Sequence, residues 1–155
     1  MHAQIYIETD STKPGISKKC YGYVLACNLH GEVRTKEGYG YVEGTYHHAV
    51  LTAMVEAIER FVRPCEICIH TEDAYVLNMM ENYLDDWVEN DFRNSRGKPV
   101  NNVDKWRELK EKREEHELST QPGKHEYSIW LRDAIEKWKG EQHEQSSDGS
   151  AKQRA

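Results

Sequence analysis

The residues of this chain best suited to chemistry are carboxylates standing where strands end. Gln4-Ile5-Tyr6-Ile7-Glu8-Thr9-Asp10 alternates, so Ile5 and Ile7 share one face of a strand while Tyr6, Glu8 and Asp10 share the other. Asp10 sits where that strand breaks toward Lys13-Pro14-Gly15. Ligands of open α/β sheets bind outside the carboxyl ends of the strands, which makes Asp10 a candidate site residue. Its other possible role is to open an Asx-type turn ahead of Pro14. Cys65 to Thr71 reads as another strand and also runs into acid, at Glu72-Asp73. Two acids at strand ends are candidates for one shared site.

The elements that must position these acids are legible in outline. Tyr21 to Cys27 reads as a second strand, Leu29-His30-Gly31-Glu32 as a turn, and Val33 to Thr35 as a third strand that resumes at Tyr39 to Val42. Short turns between them predict an antiparallel meander. The period then changes. Val50, Leu51, Met54, Val55, Ile58, Phe61 and Val62 fall at helical spacing from Tyr46 to Arg63, and Pro64 ends the helix. A strand reached through a helix normally runs parallel to the one it joins, so Asp10 and Glu72 are expected to leave the sheet at the same edge.

Beyond Asp73, Val76, Met79, Met80, Tyr83 and Leu84 mark the inner face of another helix, which the segment Leu84 to Phe92 continues or bends. Arg93 to Pro99 is a loop with local positive charge. Asn102 is placed to cap a helix running to about Glu115 through Val103, Trp106 and Leu109. Leu118 to Thr120 is expected as a short fifth strand. Ser128 is the expected N-cap of a last helix buried along Leu131, Ala134, Ile135 and Trp138. Residues 1–139 thus form one domain, and residues 140–155 are expected to be a disordered polar tail, having no apolar residue larger than Ala.

With 155 residues the chain can bury a single sizeable core. A mean hydropathy of -0.89 and the absence of any long apolar run argue against a membrane partner. The N-terminus lacks the charged-then-apolar pattern of a signal peptide, so a cytoplasmic location is expected. Cys20, Cys27, Cys65 and Cys68 suit a reducing compartment. Cys65 and Cys68 form one Cys-x-x-Cys pair with no second pair, and on a strand they point to opposite faces, so they read as buried free thiols. The net charge of -6 excludes a protein that holds nucleic acid by a basic field over its whole surface, though not a local basic patch.

The layout of three strands, a helix, a strand, three helices, a strand and a helix resembles the ribonuclease H fold. Ile7-Glu8-Thr9-Asp10-Ser11 resembles the family's first-strand motif, and Tyr21-Gly22-Tyr23-Val24-Leu25 its second strand. His70-Thr71-Glu72-Asp73-Ala74-Tyr75-Val76 is similar to the family's Ser-Thr-Asp-Ser-x-Tyr-Val segment. Gly97-Lys98-Pro99-Val100-Asn101-Asn102-Val103-Asp104-Lys105-Trp106 looks like the stretch after the substrate-binding handle of bacterial type 1 enzymes. These matches cover about residues 4–138. They imply an α/β, ribonuclease H-like fold with a mixed five-stranded sheet flanked by helices.

The same resemblance implies an endonuclease that hydrolyses the RNA strand of RNA–DNA hybrids with Mg²⁺ or Mn²⁺; a monomer is expected. Its ligands would be Asp10, Glu72 and Asp133. His125 resembles a loop His that assists proton transfer or product release, and Arg93, Arg96 and Lys98 are placed to contact phosphates. The fourth family acid lies near the start of the first helix, where Val50 stands here. Three readings of that gap compete: His47, one turn earlier, supplies a ring nitrogen to the metal; three acids and a water suffice for a slow enzyme; or the site has decayed. His47 and His48 also read as polar residues of a helix start. The rival expectation is a catalytically inactive nucleic-acid- or protein-binding module on the same fold.

Overall fold

The structure, a computed structural model, describes residues 1–154 and the side chains of residues 1–143. In chain order the elements are β1 (His2–Thr9), β2 (Ser17–Leu29), β3 (Glu32–Gly44), α1 (Tyr46–Glu59), β4 (Glu66–Thr71), α2 (Ala74–Asn82), α3 (Leu84–Glu89), α4 (Val103–Glu115), β5 (Glu117–Pro122) and α5 (Ser128–Arg154). This is the expected order. The five strands form one sheet in the order β3-β2-β1-β4-β5. The first three pair antiparallel, and β4 and β5 add parallel to β1.

Strand alternation divides the side chains between two faces. Ile5, Ile7, Tyr21, Tyr23, Leu25, Ile67 and Ile69 bury against Leu51, Met54 and Ile58 of α1, with Trp106 and Leu109 of α4 completing that core. Tyr6, Cys20, Val24 and Ala26 bury on the other face against Leu131 and Ile135 of α5. Helix α5 can lie this close to β2 because residue 22 is glycine. A Cβ there would come within 2.9 Å of the Ile135 side chain.

Several boundaries differ from the expectation for physical reasons. β3 runs without a pause from Glu32 to Gly44, because every residue pairs with β2, and Tyr21 folds its ring over Gly40, where a Cβ would sit 2.4 Å from the hydroxyl. α1 ends at Glu59 rather than Arg63: the Arg60 and Phe61 amides reach back three residues to Ala57 and Ile58, tightening the last turn, and Val62 is exposed. Segment 84–89 is a separate helix. Asn102 occupies the cap position of α4 at φ 61°, yet its side chain makes no cap bond and its Oδ1 lies 3.2 Å from His48 Nδ1.

The loop after β1 is pinned from below. Lys19 is fully buried, and its Nζ donates to Gly15 O (2.6 Å), Ser17 Oγ (2.8 Å) and Gly44 O (2.7 Å). A buried ammonium with all three protons bonded ties the β1–β2 loop to the end of β3. Helix α5 continues past Gly140, where a polar tail was expected; the side chains of residues 144–155 lie outside the described residues. No described helix is long and apolar enough to cross a membrane.

Candidate active site

Register, not parity, decides which acids meet. β1 and β4 pair in parallel with Tyr6 level with His70, so two residues further on Glu8 comes level with Glu72. Asp10 shares the face of Glu8 but lies two residues beyond, about 7 Å along the strand. Glu8 is 4 % exposed. Its Oε1 accepts from Arg132 Nε at 2.6 Å, and its Oε2 lies 3.1 Å from His125 Nε2. The same Arg132 donates through Nη2 to Glu72 Oε2. One guanidinium from α5 therefore bridges the acids at the ends of two neighbouring strands, using its planar fork.

His125 is buried, not a solvent-exposed loop side chain. Its Nδ1 accepts from the Tyr127 amide at 3.2 Å, which leaves the proton on Nε2, shared between Glu8 and Ile7 O at 3.1 Å. Burial pushes the Glu8 carboxyl up, but hydrogen bonds from His125 and then from Glu72 and Arg132 outweigh it, and Glu8 titrates below the usual range. Glu72 moves the other way: burial raises it, the hydrogen bond and charge of Glu8 raise it further, and Arg132 opposes both. Two carboxyls this close share their protons unequally.

Asp10 has its own partners. Its Oδ1 accepts from the Cys20 amide at 2.9 Å and its Oδ2 from Lys139 Nζ at 2.9 Å. Arg132 and Lys139 are two turns apart on α5, so both reach the β1 rim from one helix face. Asp133, between them in sequence, points elsewhere: it is exposed, pairs with Lys137 at 3.2 Å, and borders a recess with Tyr39, Trp130 and Trp138. Asp10, Glu72 and Asp133 thus do not converge. Val50 lines the small recess beside Glu8 and Glu72, opposite Arg132 and next to Tyr46.

His47 does not join that recess. Its Nδ1 donates to Asp73 Oδ2 at 2.7 Å, and Asp73, 3 % exposed, also caps α2 through the Val76 amide. The imidazole packs on Tyr75 with ring centroids 4.5 Å apart. It forms one wall of an adjoining groove of about 480 Å³ that also holds Thr45, Trp87, Asn94, Asn102 and Trp106. Arg93, Arg96 and Lys98 sit on an exposed turn closed by the Arg93–Pro99 bridge; Asn94 of that turn lines the groove, and its Oδ1 accepts from the amides of Arg96 and Lys98.

The divalent cation implied by the sequence resemblance can be tested against these groups. Among the described residues no three His, Cys, Asp or Glu side chains are placed to hold a metal ion. Glu8 and Glu72 share one recess, Val50 on its wall offers no oxygen, and the charge between the two acids is already Arg132. The residues as arranged do not fit a two-cation centre. Sequence reasoning passed over Glu8, Arg132 and Lys139. Glu8 carried a signal, its place on the Asp10 face of β1; the two cations carried only their seven-residue spacing.

Comparison with known proteins follows the same lines. The sequence model of the RNase H family matches residues 2–122. Ribonuclease H of Actinobacillus succinogenes is 35 % identical over 109 residues, 68 % of this chain and 68 % of that protein. Ribonuclease H of Gluconobacter oxydans is 34 % identical over 116 residues, covering 74 % and 75 %. Among solved structures, LC9-RNase H1, described as a type 1 RNase H with the type 2 active-site motif, superposes with a TM-score of 0.71 at 14 % identity, over 91 % of this chain and 73 % of that one. The foamy viral protease-reverse transcriptase in complex with RNA/DNA hybrid superposes at 0.60 and 19 %, over 78 % and 17 %. Matched over most of its length by family model, relatives and fold, this chain belongs to the RNase H family.

Proposed function

We propose that this protein is an RNase H-type phosphodiester hydrolase that cuts the RNA strand of RNA–DNA hybrids. The observation that carries the reading is the Glu8–Glu72 pair at the carboxyl ends of adjacent parallel strands, in a chain of this family and beside an open polar and aromatic groove. Mg²⁺ or Mn²⁺ is the cofactor this reading brings with it; Glu8 and Glu72 would have to hold the ion once Arg132 is displaced, and it would supply the charge that activates a water. The chain's own residues do the rest. Arg132 presents a half-exposed cation on the rim and Lys139 a partly exposed one, and Arg93, Arg96 and Lys98 add exposed positive charge on the turn that carries Asn94. Thr45, His47 and Asn102 offer hydrogen bonds and Tyr75 a stacking face. So few phosphate contacts on an acidic chain give weak binding with a shallow salt slope, roughly 0.7–0.9 per phosphate. A cytoplasmic, monomeric protein accompanies this reading.

A 5′-labelled hybrid duplex incubated with Mg²⁺ or Mn²⁺ tests it. Products confined to the RNA strand, lost in Glu72→Gln while hybrid binding persists, are the expected result. No products at high protein concentration with either metal would remove the catalytic claim. The second reading, a binding module without catalysis, is favoured by Val50 and by the guanidinium already seated between the acids. It predicts hybrid binding of the same weak, shallow-sloped kind and no cutting with either metal.

A further inference from the structure

The acid pair of this site faces a cation that the chain itself provides. Arg132 places Nε on Glu8 and Nη2 on Glu72, so a single +1 group answers two carboxylates. Glu8 is held on its other oxygen by His125, whose Nδ1 accepts from the Tyr127 amide. The recess enclosed by Glu8, Thr9, Val50, Glu72 and Arg132 measures about 10 Å³. That is about the space of a single water centre, whereas Mg²⁺ keeps several waters when it binds. Lys139 repeats the arrangement on Asp10.

We infer that Arg132 stands in the place of a divalent cation between Glu8 and Glu72, and that the free protein refuses Mg²⁺ and Mn²⁺ there because of it. Geometry supports this from both sides. The carboxylate of Glu8 is buried, so a competing ion must displace the guanidinium to reach it, while the Arg132 side chain is 50 % exposed. Its outward N–H groups face solvent, where a phosphodiester can compete for them. Arg132 is in this sense a positioning residue: it holds two like charges together in the absence of substrate, and a docking phosphate is what can draw it away. The consequence for phosphate rests on the proposed hydrolase reading, whereas the exclusion of metal does not.

The test is titration of Mn²⁺ into the intact protein without nucleic acid, read by paramagnetic broadening of the amide resonances of residues 8 and 72. The wild-type protein is expected to show no selective broadening there below ~1 mM Mn²⁺. Arg132→Gln, with a dispersed spectrum confirming its fold, is expected to take Mn²⁺ at that point at least about tenfold more tightly. Arg132→Lys, which keeps the charge, should stay close to wild type. Equal affinity in wild type and Arg132→Gln overturns the inference, as does binding by neither or sub-millimolar binding by the wild type alone. Cleavage of hybrid is scored separately: a wild-type protein that binds Mn²⁺ and cuts keeps the hydrolase reading and loses this one, and a protein that neither binds Mn²⁺ nor cuts does the reverse.

Discussion

The two faces of the sheet solve opposite problems with the same five strands. Toward α1 the sheet presents Ile5, Ile7, Ile67 and Ile69, all at most 1 % exposed, and what packs on them is apolar. Toward α5 it presents Gln4, Tyr6, Glu8, Cys68 and His70, whose polar atoms each need a partner. Tyr6 donates to Glu126 at 2.6 Å and stacks on His70 at 4.4 Å; His70 reaches Gln4 at 2.5 Å; Glu8 takes Arg132 and His125. The first face holds the fold by removing area from water; the second does so where Val24 and Ala26 meet Leu131 and Ile135, but along β1 and β4 it must also match charges and donors, with Arg132 serving two carboxylates. Stability therefore belongs mainly to one side and chemistry to the other.

That division can be broken deliberately. The largest effect is expected on the aliphatic face: Ile69→Ala should cost about 2–5 kcal/mol in urea unfolding, as buried aliphatic truncations do, with no change in metal or hybrid binding per folded molecule. A smaller loss would mean that the α1 face collapses around the gap and is less tightly packed than its burial implies.

On the polar face Glu8→Gln should cost about 1–3 kcal/mol, since it keeps the shape but weakens two bonds to a buried oxygen pair. It should also change how stability depends on pH. Glu8 titrates below its ordinary 4.5, so its contribution is present above that value and is lost as pH falls through the lowered one. Glu72 titrates above 4.5, so in the wild type stability also declines as pH rises from 4.5 through the raised value. Midpoints measured across this acid window should be flatter in Glu8→Gln, because the contribution of Glu8 disappears and Glu72 keeps only the part of its upward shift that burial supplies. An unchanged profile would show that the two carboxyls do not communicate.

The smallest effect is expected at the rim. Lys139→Ala removes a partly exposed partner of Asp10, worth no more than about 1 kcal/mol in unfolding experiments. Its effect on hybrid binding should instead appear as a salt slope lower by about 0.7–0.9, the signature of one lost phosphate contact. A slope that does not move would take Lys139 out of the proposed track.

Much of the α1 face was readable beforehand. The stripe Val50, Leu51, Met54, Val55 and Ile58 and the alternation Ile5, Ile7 specify their own burial, because periodicity is a local property of the chain. The site was only partly readable. Glu72 was found, and so was the shared edge of β1 and β4, but the partner chosen for Glu72 was Asp10 where the structure places Glu8. A one-residue slip flips every side chain to the other face and would be caught; a two-residue slip keeps the face and leaves no mark in the pattern. Asp133 is the acid the sequence offers next to the Arg132 that faces the rim, since neighbouring helix positions differ by about 100° of rotation and only packing sets which one faces the sheet.

The sequence by itself determined the order of elements, the faces of each strand, the apolar core and membership of a recognisable layout. Tertiary structure alone decided the pairing of Glu8 with Glu72, the seating of Arg132 between them and the retirement of His47 to Asp73. The physical reason is range. Alternation and helical spacing are written in residues a few positions apart, whereas strand register and the rotation of α5 are settled by contacts between residues as distant as Glu8 and Arg132.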